Sequence, residues 1–308
     1  MPRDTANAGP AEPRKPITLA ELLADEENGT PRETPEVGGL PPLRGDRVIR
    51  RTPRTLPVPD LSAQLKAWLL VGEGRSGKTT FARWVADQLH ARDMLGEAVI
   101  ATIAPGNRAL ERYVANVMQP ASGDAAETAA WVGKVLAALP RRRLHGVFDA
   151  GGGDQSIATL IRDEPGLVAD LEERNLGLVA AYFLGPRLAD LAFLKSYEQA
   201  GFQPQATALV LNLALADDPG AFDDIRRQPV YRAALDRGAV ELWMPAMPQD
   251  VALAIERKEL HYNDARDGRT PDGRTVEVLK LRQRSEVARW LDAMEREFSV
   301  IESWLPWA

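Results

Sequence analysis

The sequence predicts an α/β fold with a doubly wound, mostly parallel sheet. Three observations carry the expectation. From about residue 63 onward, short apolar runs alternate with stretches of helical apolar spacing, the signature of parallel strands joined by helical crossovers. One of these runs leads directly into a glycine-rich loop and then a helix. A chain of 308 residues with 44% hydrophobic content is also long enough to bury a substantial core.

The elements follow in order. Residues 1–60 hold 11 of the 23 prolines and few large apolar side chains. Such a segment cannot bury enough surface to offset the entropy of ordering, so a disordered Pro/Arg-rich arm is expected. Within it, Thr18-Leu19-Ala20-Glu21-Leu22-Leu23 has capping-box spacing ahead of a small leucine face. Two readings are open for it, a docking motif or a transient helix without a partner.

The main domain, expected over 61–265, opens with Ala67–Val71 as a short buried strand, and Phe81, Trp84, Val85 and Leu89 follow at helical spacing. Between them lies Gly72-Glu73-Gly74-Arg75-Ser76-Gly77-Lys78-Thr79-Thr80. This run matches Gly-x4-Gly-Lys-[Ser/Thr], so the fold expected is of the P-loop NTPase type. Gly72, Gly74 and Gly77 remove Cβ atoms where the backbone must curl. With Arg75 and Ser76 they form a nest of amides for triphosphate oxygens at a helix N-terminus. Lys78 then reaches the β- and γ-phosphates, Thr79 holds Mg²⁺ and Thr80 adds a phosphate contact. A chance glycine-rich turn is the alternative, and it would not place strand, loop and helix in register.

Next come a strand near Ala98 to Ile103, helical stretches through Arg108 to Val117 and Ala125 to Leu139, and a strand ending at Asp149. A Mg²⁺ ion bridging phosphates needs a second protein anchor, usually an acid at the end of a neighbouring strand, and Asp149 fits. In Asp149-Ala150-Gly151-Gly152 the carboxylate would hold the metal through water while a flexible glycine, Gly152, senses the γ-phosphate. The other reading of this segment is an ordinary strand-to-helix turn capped by Asp154. Further strands are expected at Leu176 to Leu184, Ala206 to Leu213 and Ala239 to Trp243. Helices are expected near Pro186 to Ala200, Gly220 to Arg237 and Gln249 to Lys258, giving roughly six strands with helices on both faces.

Residues 266–308 are expected to be a linker and a C-terminal amphipathic helix. Asp267 to Thr275 repeats Asp-Gly-Arg-Thr around a proline, which is turn chemistry. Beyond it Val287, Trp290, Leu291, Met294, Phe298 and Ile301 mark one helical face, with Trp304 and Trp307 at its end. The opposite face is acidic, so an anionic bilayer would repel it and packing on the body or a protein partner is expected.

Bulk properties narrow the function classes. No apolar run is long enough to span a bilayer and the N-terminus lacks a secretory core, so a cytoplasmic protein is expected. Zero cysteines exclude disulfides and thiolate metal sites, and three scattered histidines do not suggest zinc. A net charge of −6 argues against a general nucleic-acid coat. Two basic clusters, Arg44 to Arg54 and Arg141 to Arg143, read either as DNA contacts or as solvated surface.

Together, the Gly72 to Thr80 loop, Asp149-Ala150-Gly151-Gly152-Gly153-Asp154, the strand-end Asn212 and Met244-Pro245 resemble the ParA/MinD class (SIMIBI) of partition-type P-loop ATPases over about residues 64 to 262. The Asp-x-Gly-Gly-Gly-Asp form and the late Met244-Pro245-Ala246-Met247-Pro248 stretch are similar to accessory ATPases of plasmid conjugation and stability. The resemblance implies that Asn212 contacts adenine and that the backbone at Pro245 lines the base pocket. It further implies an ATP-binding, partition-like switch protein serving plasmid transfer or stability. The arm and the terminal helix are the expected contacts for a protein partner, and any Mg²⁺-dependent hydrolysis is expected to be weak. Glu73 stands where the class has a lysine that crosses an ATP-sandwich dimer, and a carboxylate there repels phosphate, which puts that dimer in doubt. No aspartate ends the second strand to position an attacking water. Two other functions stay open: a P-loop kinase transferring a phosphoryl group, and a nucleotide-bound scaffold in a larger assembly.

Overall fold

The computed structural model describes residues 18, 22, 49, 51–54, 56–104, 109–270 and 278–308. Most of the proline-rich arm, including Arg44, Arg47 and Arg50, lies outside these residues, as does the second half of the Asp-Gly-Arg-Thr repeat.

Six parallel strands form one sheet: β1 (Leu65–Val71), β2 (Ala98–Thr102), β3 (His145–Asp149), β4 (Leu176–Leu184), β5 (Ala206–Asn212) and β6 (Val240–Met244). Their order is β2-β3-β1-β4-β5-β6. The crossover from β1 travels toward β2 and the later ones travel the other way. Right-handed connections therefore put the intervening helices on opposite faces. Helix α1 (Lys78–Ala91) covers one face, while α2 (Ala125–Arg142), α3 (Ser156–Asp163), α4 (Leu167–Glu173), α5 (Ala192–Gln199), α6 (Asp223–Arg226) and α7 (Pro229–Asp236) cover the other. After β6 the chain returns to the α1 face as α8 (Gln249–Arg257), α9 (Tyr262–Asp267) and α10 (Leu281–Phe298).

Strand side chains divide between two cores by simple alternation. Trp68 and Leu70 of β1 point toward α1, and Ala67, Leu69 and Val71 point away. Helix α10 belongs to the first core. Phe298 packs on Phe81 and Trp84 with ring centroids 4.9 and 5.2 Å apart, and Trp68 Nε1 donates to the Trp304 carbonyl at 2.8 Å. Each such fully buried side chain stabilises by roughly 1.5–3 kcal/mol, so residues 281–308 are part of the body.

Both sheet edges are covered. At β6 the Trp243 amide donates to Glu297 of α10 at 2.8 Å, and Glu297 also accepts from the Arg51 guanidinium. Buried Glu241 accepts from Thr52, Arg226, Tyr231 and Trp243 side chains. The last part of the arm is thereby bonded to the body, and Pro59 accepts from Trp304 Nε1 at 2.7 Å. At β2 the Met118 backbone pairs with Ile100 and Thr102. Of the segment Thr18 to Leu23, Thr18 and Leu22 are described. Leu22 is buried in the second core and its carbonyl accepts from Arg142 Nε, which uses one member of the Arg141 to Arg143 cluster.

Three expected elements differ. The segment 109–117 is a series of turns, because positive φ at Asn116 swings the chain back to lay Met118 beside β2. The stretch expected as one helix from Gly220 to Arg237 is split at Gln228, which takes extended dihedrals ahead of Pro229. The stretch from Pro186 to Ala200 begins as a 3₁₀ turn at Leu188–Leu191 before α5. Among the described residues no helix is long and apolar enough to cross a membrane.

Candidate functional site

The loop from Gly72 to Gly77 lies at the C-terminal edge of the sheet, where crossovers leave β1 and β3 toward opposite faces, the usual place for a ligand crevice. Two glycines are obligatory. Gly72 has φ 151°, and a Cβ there would sit 2.5 Å from the Phe183 carbonyl oxygen. Gly77 caps α1 with φ 104°, and a Cβ there would sit 2.5 Å from Asn212 Nδ2. Arg75 takes a left-handed φ of 62° at the exposed tip. Lys78, 5% exposed, folds back under the loop: its Nζ donates to the Gly72 and Glu73 carbonyls, both at 2.8 Å, and to Ser76 Oγ at 3.3 Å. Burial lowers its pKa, while the carboxylates of Asp149 and Glu73 oppose that shift.

Asp149 ends β3 in register with Leu70 of β1 and Thr102 of β2. Its Oδ2 accepts from Thr79 Oγ1 at 2.6 Å, which ties the first turn of α1 to the neighbouring strand. Burial pushes the Asp149 carboxyl up to about 6, against the Thr79 hydrogen bond and the Lys78 charge, which both favour the anion. On the same face, by alternation from Ile100, stands Thr102, whose Oγ1 is buried without a partner. A carboxylate and two hydroxyls are hard oxygen donors of the kind Mg²⁺ takes. Among the described residues no cluster of three or more His, Cys, Asp or Glu side chains could hold a metal by itself. The residues fit a cation that brings further oxygen ligands with it.

The segment after β3 touches the loop. A Cβ on Gly152 would fall 2.6 Å from Gly74 Cα and closer still to its amide nitrogen, so the two loops approach backbone to backbone. Asp154 Oδ1 accepts from the Ser156 amide at 2.7 Å and caps the turn into α3. The Asp154 bond is the one expected of the strand-to-helix turn.

Asn212 closes the other side. Its Nδ2 donates to the Ser76 carbonyl at 2.8 Å and its Oδ1 accepts from the Ala214 amide at 3.0 Å. The carboxamide therefore braces the loop. Beyond it opens a cavity of about 670 Å³, lined at one end by Thr79 and Thr80 and at the other by Pro245, Tyr262 and Trp290. Its volume is in the range of pockets that enclose a small organic ligand. No protein-family model matches the chain, and no curated protein matches it.

The residues singled out in the sequence, Gly72 to Thr80, Asp149, Gly152, Asn212 and Pro245, therefore surround one crevice and its adjoining cavity. Four participants were not singled out as site residues: Thr102, Arg83, Tyr262 and Trp290. Arg83 could have been found, since it lies three and four residues after Thr80 and Thr79 and so shares their helix face. Trp290 is part of an apolar stripe that signals packing, and nothing local distinguishes its indole N–H, which donates to the Pro245 carbonyl at 2.9 Å.

Proposed function

We propose that the chain is an ATP-binding switch protein of the partition type, with a P-loop fold and weak Mg²⁺-dependent turnover. The observation that carries this reading is the contact of Thr79 with Asp149 beside a lysine buried under a glycine loop. It puts an ammonium, a hydroxyl and a carboxylate on adjacent elements at a helix N-terminus, the set that a magnesium-bound triphosphate requires. Thr79 and Asp149 would hold Mg²⁺, which would neutralise phosphate charge there. Lys78 supplies the fixed cation, and the loop amides at the start of α1 supply donors.

The switch is the approach of Gly152 to Gly74. Any displacement of the glycine loop moves the Gly151–Gly153 turn and, through the Asp154 cap, the start of α3. Partner affinity would change with it. Helix α10 spends its apolar face on the core, so a protein partner would meet its outer face of mixed charge, where Arg282, Arg284, Arg289 and Arg296 stand among Glu286, Asp292 and Glu295, or the arm. The exposed Arg141 leaves room for DNA contact at the end of α2. Glu73 argues against a sandwich dimer, and the end of β2 offers a hydroxyl and no carboxylate to orient water, which keeps turnover slow. The setting implied by the resemblance is plasmid transfer or stability.

The test is equilibrium dialysis with labelled ATP in Mg²⁺. Wild type should bind one ATP per chain, and a folded Lys78→Ala variant should bind at least about a hundredfold more weakly. Equal binding by the two proteins would remove the assignment.

A further inference from the structure

Arg75 carries a long side chain where its backbone favours none. The Ser76 amide donates to the Glu73 carbonyl at 3.3 Å, closing a turn with Gly74 and Arg75 at its centre. Arg75, the second of the two, has φ 62°, a position at which such turns take glycine or asparagine. Among the described residues five other non-glycine side chains stand at positive φ. Four of them, Asp93, Arg143, Asn175 and Glu259, follow helix ends, and their amides donate to carbonyls of the last turn, where left-handed backbone is routine. The fifth, Asn116, is of a residue type that tolerates the conformation. Neither account covers Arg75.

Its surroundings point the same way. Arg75 is exposed, and among the described residues its guanidinium is in no ion pair or hydrogen bond. Lys78 is placed oppositely, buried under the loop with its ammonium donating to Gly72, Glu73 and Ser76. Arg75 adjoins Gly74, the residue that the turn after Asp149 approaches, since a Cβ on Gly152 would fall 2.6 Å from Gly74 Cα. The cavity opens on the other side of the loop, beyond Asn212. A triphosphate with its base in that cavity would direct its terminal phosphoryl toward Gly152 and Arg75. Resting on the nucleotide reading above, we infer that the Arg75 side chain clamps the γ-phosphate of ATP and so lets the protein tell tri- from diphosphate. The loop needs only the amide of residue 75 for its nest, and glycine would supply that without strain. What arginine adds is a permanent charge and a planar fork that matches two phosphate oxygens. ADP has none to offer at that place. Glu73, two positions earlier, repels phosphate, and Arg75 offsets that repulsion where the terminal phosphoryl sits.

The experiment is calorimetric titration of the full chain in Mg²⁺, with ATP and with ADP, for wild type, Arg75→Gly and Arg75→Lys. Arg75→Gly removes the guanidinium and keeps the turn, so it should melt no lower than wild type. It should bind ATP at least about tenfold more weakly and ADP within about twofold of wild type, as expected for loss of a hydrogen-bonded charge pair made by the terminal phosphoryl alone. Arg75→Lys keeps the charge without the fork and should recover part of the loss for ATP. Equal weakening of both nucleotides by Arg75→Gly would assign the residue to the loop backbone and overturn the inference. Unchanged ATP affinity, or a lower melting temperature, would overturn it as well. Failure of wild type to bind either nucleotide is a separate result, which overturns the phosphate-loop reading and this inference with it.

Discussion

Gly77 and Asn212 constrain each other. The glycine leaves the space that the carboxamide fills, and the carboxamide supplies the donor that the buried Ser76 carbonyl needs. Asn212→Ala should therefore cost about 1–3 kcal/mol in denaturant unfolding, the cost of an orphaned buried acceptor, and weaken nucleotide binding by loosening the loop. Gly152→Ala places a methyl group on the Gly74 backbone, which cannot yield as a flexible side chain does. It should lower nucleotide affinity at least tenfold with a loss of stability of about 1–3 kcal/mol, read by titration and chemical denaturation. Asp149 works against the fold it serves. Its folded pKa of about 6 lies above the ordinary 3.8, so the folded state binds the extra proton between those values and the ionised group costs stability above about pH 6. Asp149→Asn should raise the melting temperature at pH 7.5, with a smaller gain at pH 4, while abolishing the Mg²⁺ dependence of nucleotide binding. Equal melting temperatures and an intact metal dependence would contradict both roles.

The elements that position the site are held by side chains whose partners lie far away in sequence. Asp87 of α1 accepts from His261 Nδ1 at 2.6 Å and from the Tyr262 amide, so it caps α9 and fixes the cavity wall. The Asp87 hydrogen bond raises the His261 pKa above its usual 6.5, with burial opposing. A raised folded pKa stabilises fully below about pH 6.5 and is lost as pH rises through the folded value. Asp87→Asn should remove that decline from a plot of unfolding free energy between pH 6.5 and 9, and an unchanged slope would dismiss the tie. Sequence periodicity shows β4 as Leu176–Leu184 because nine consecutive residues of that strand are buried on both faces. It shows the glycine loop because that chemistry is local. It does not show α9, whose first amide is capped by a side chain 175 positions earlier, nor the break before Pro229 within an otherwise helical pattern. The cavity escapes it for the same reason, since Arg83, Tyr262 and Trp290 meet only after α8 to α10 return to the α1 face.

The whole molecule is a parallel sheet whose later helices cover the first core and line the cavity beside the glycine loop. Residues 281–308 therefore carry stability and site together. Glu297→Ala strips the Trp243 amide and Arg51 of their acceptor at one stroke, and should destabilise by about 1–3 kcal/mol. Acid opposes the fold from the other end of the sheet. Burial and the nearby Lys66 charge hold His145 neutral with its pKa lowered to about 3, so the unfolded chain binds the extra proton and stability falls as pH drops from 6.5 toward 3. These features describe how the protein stands; the proposed function turns on the crevice between β1 and β3. The most direct measurement is a calorimetric titration of the wild-type chain with ATP, with Mg²⁺ present and then with the metal chelated. Saturable one-to-one binding that weakens at least tenfold on chelation is the result expected of Lys78, Thr79 and Asp149 acting on a magnesium-bound triphosphate. A folded protein that takes up no ATP in either condition, or binds it equally in both, would contradict it.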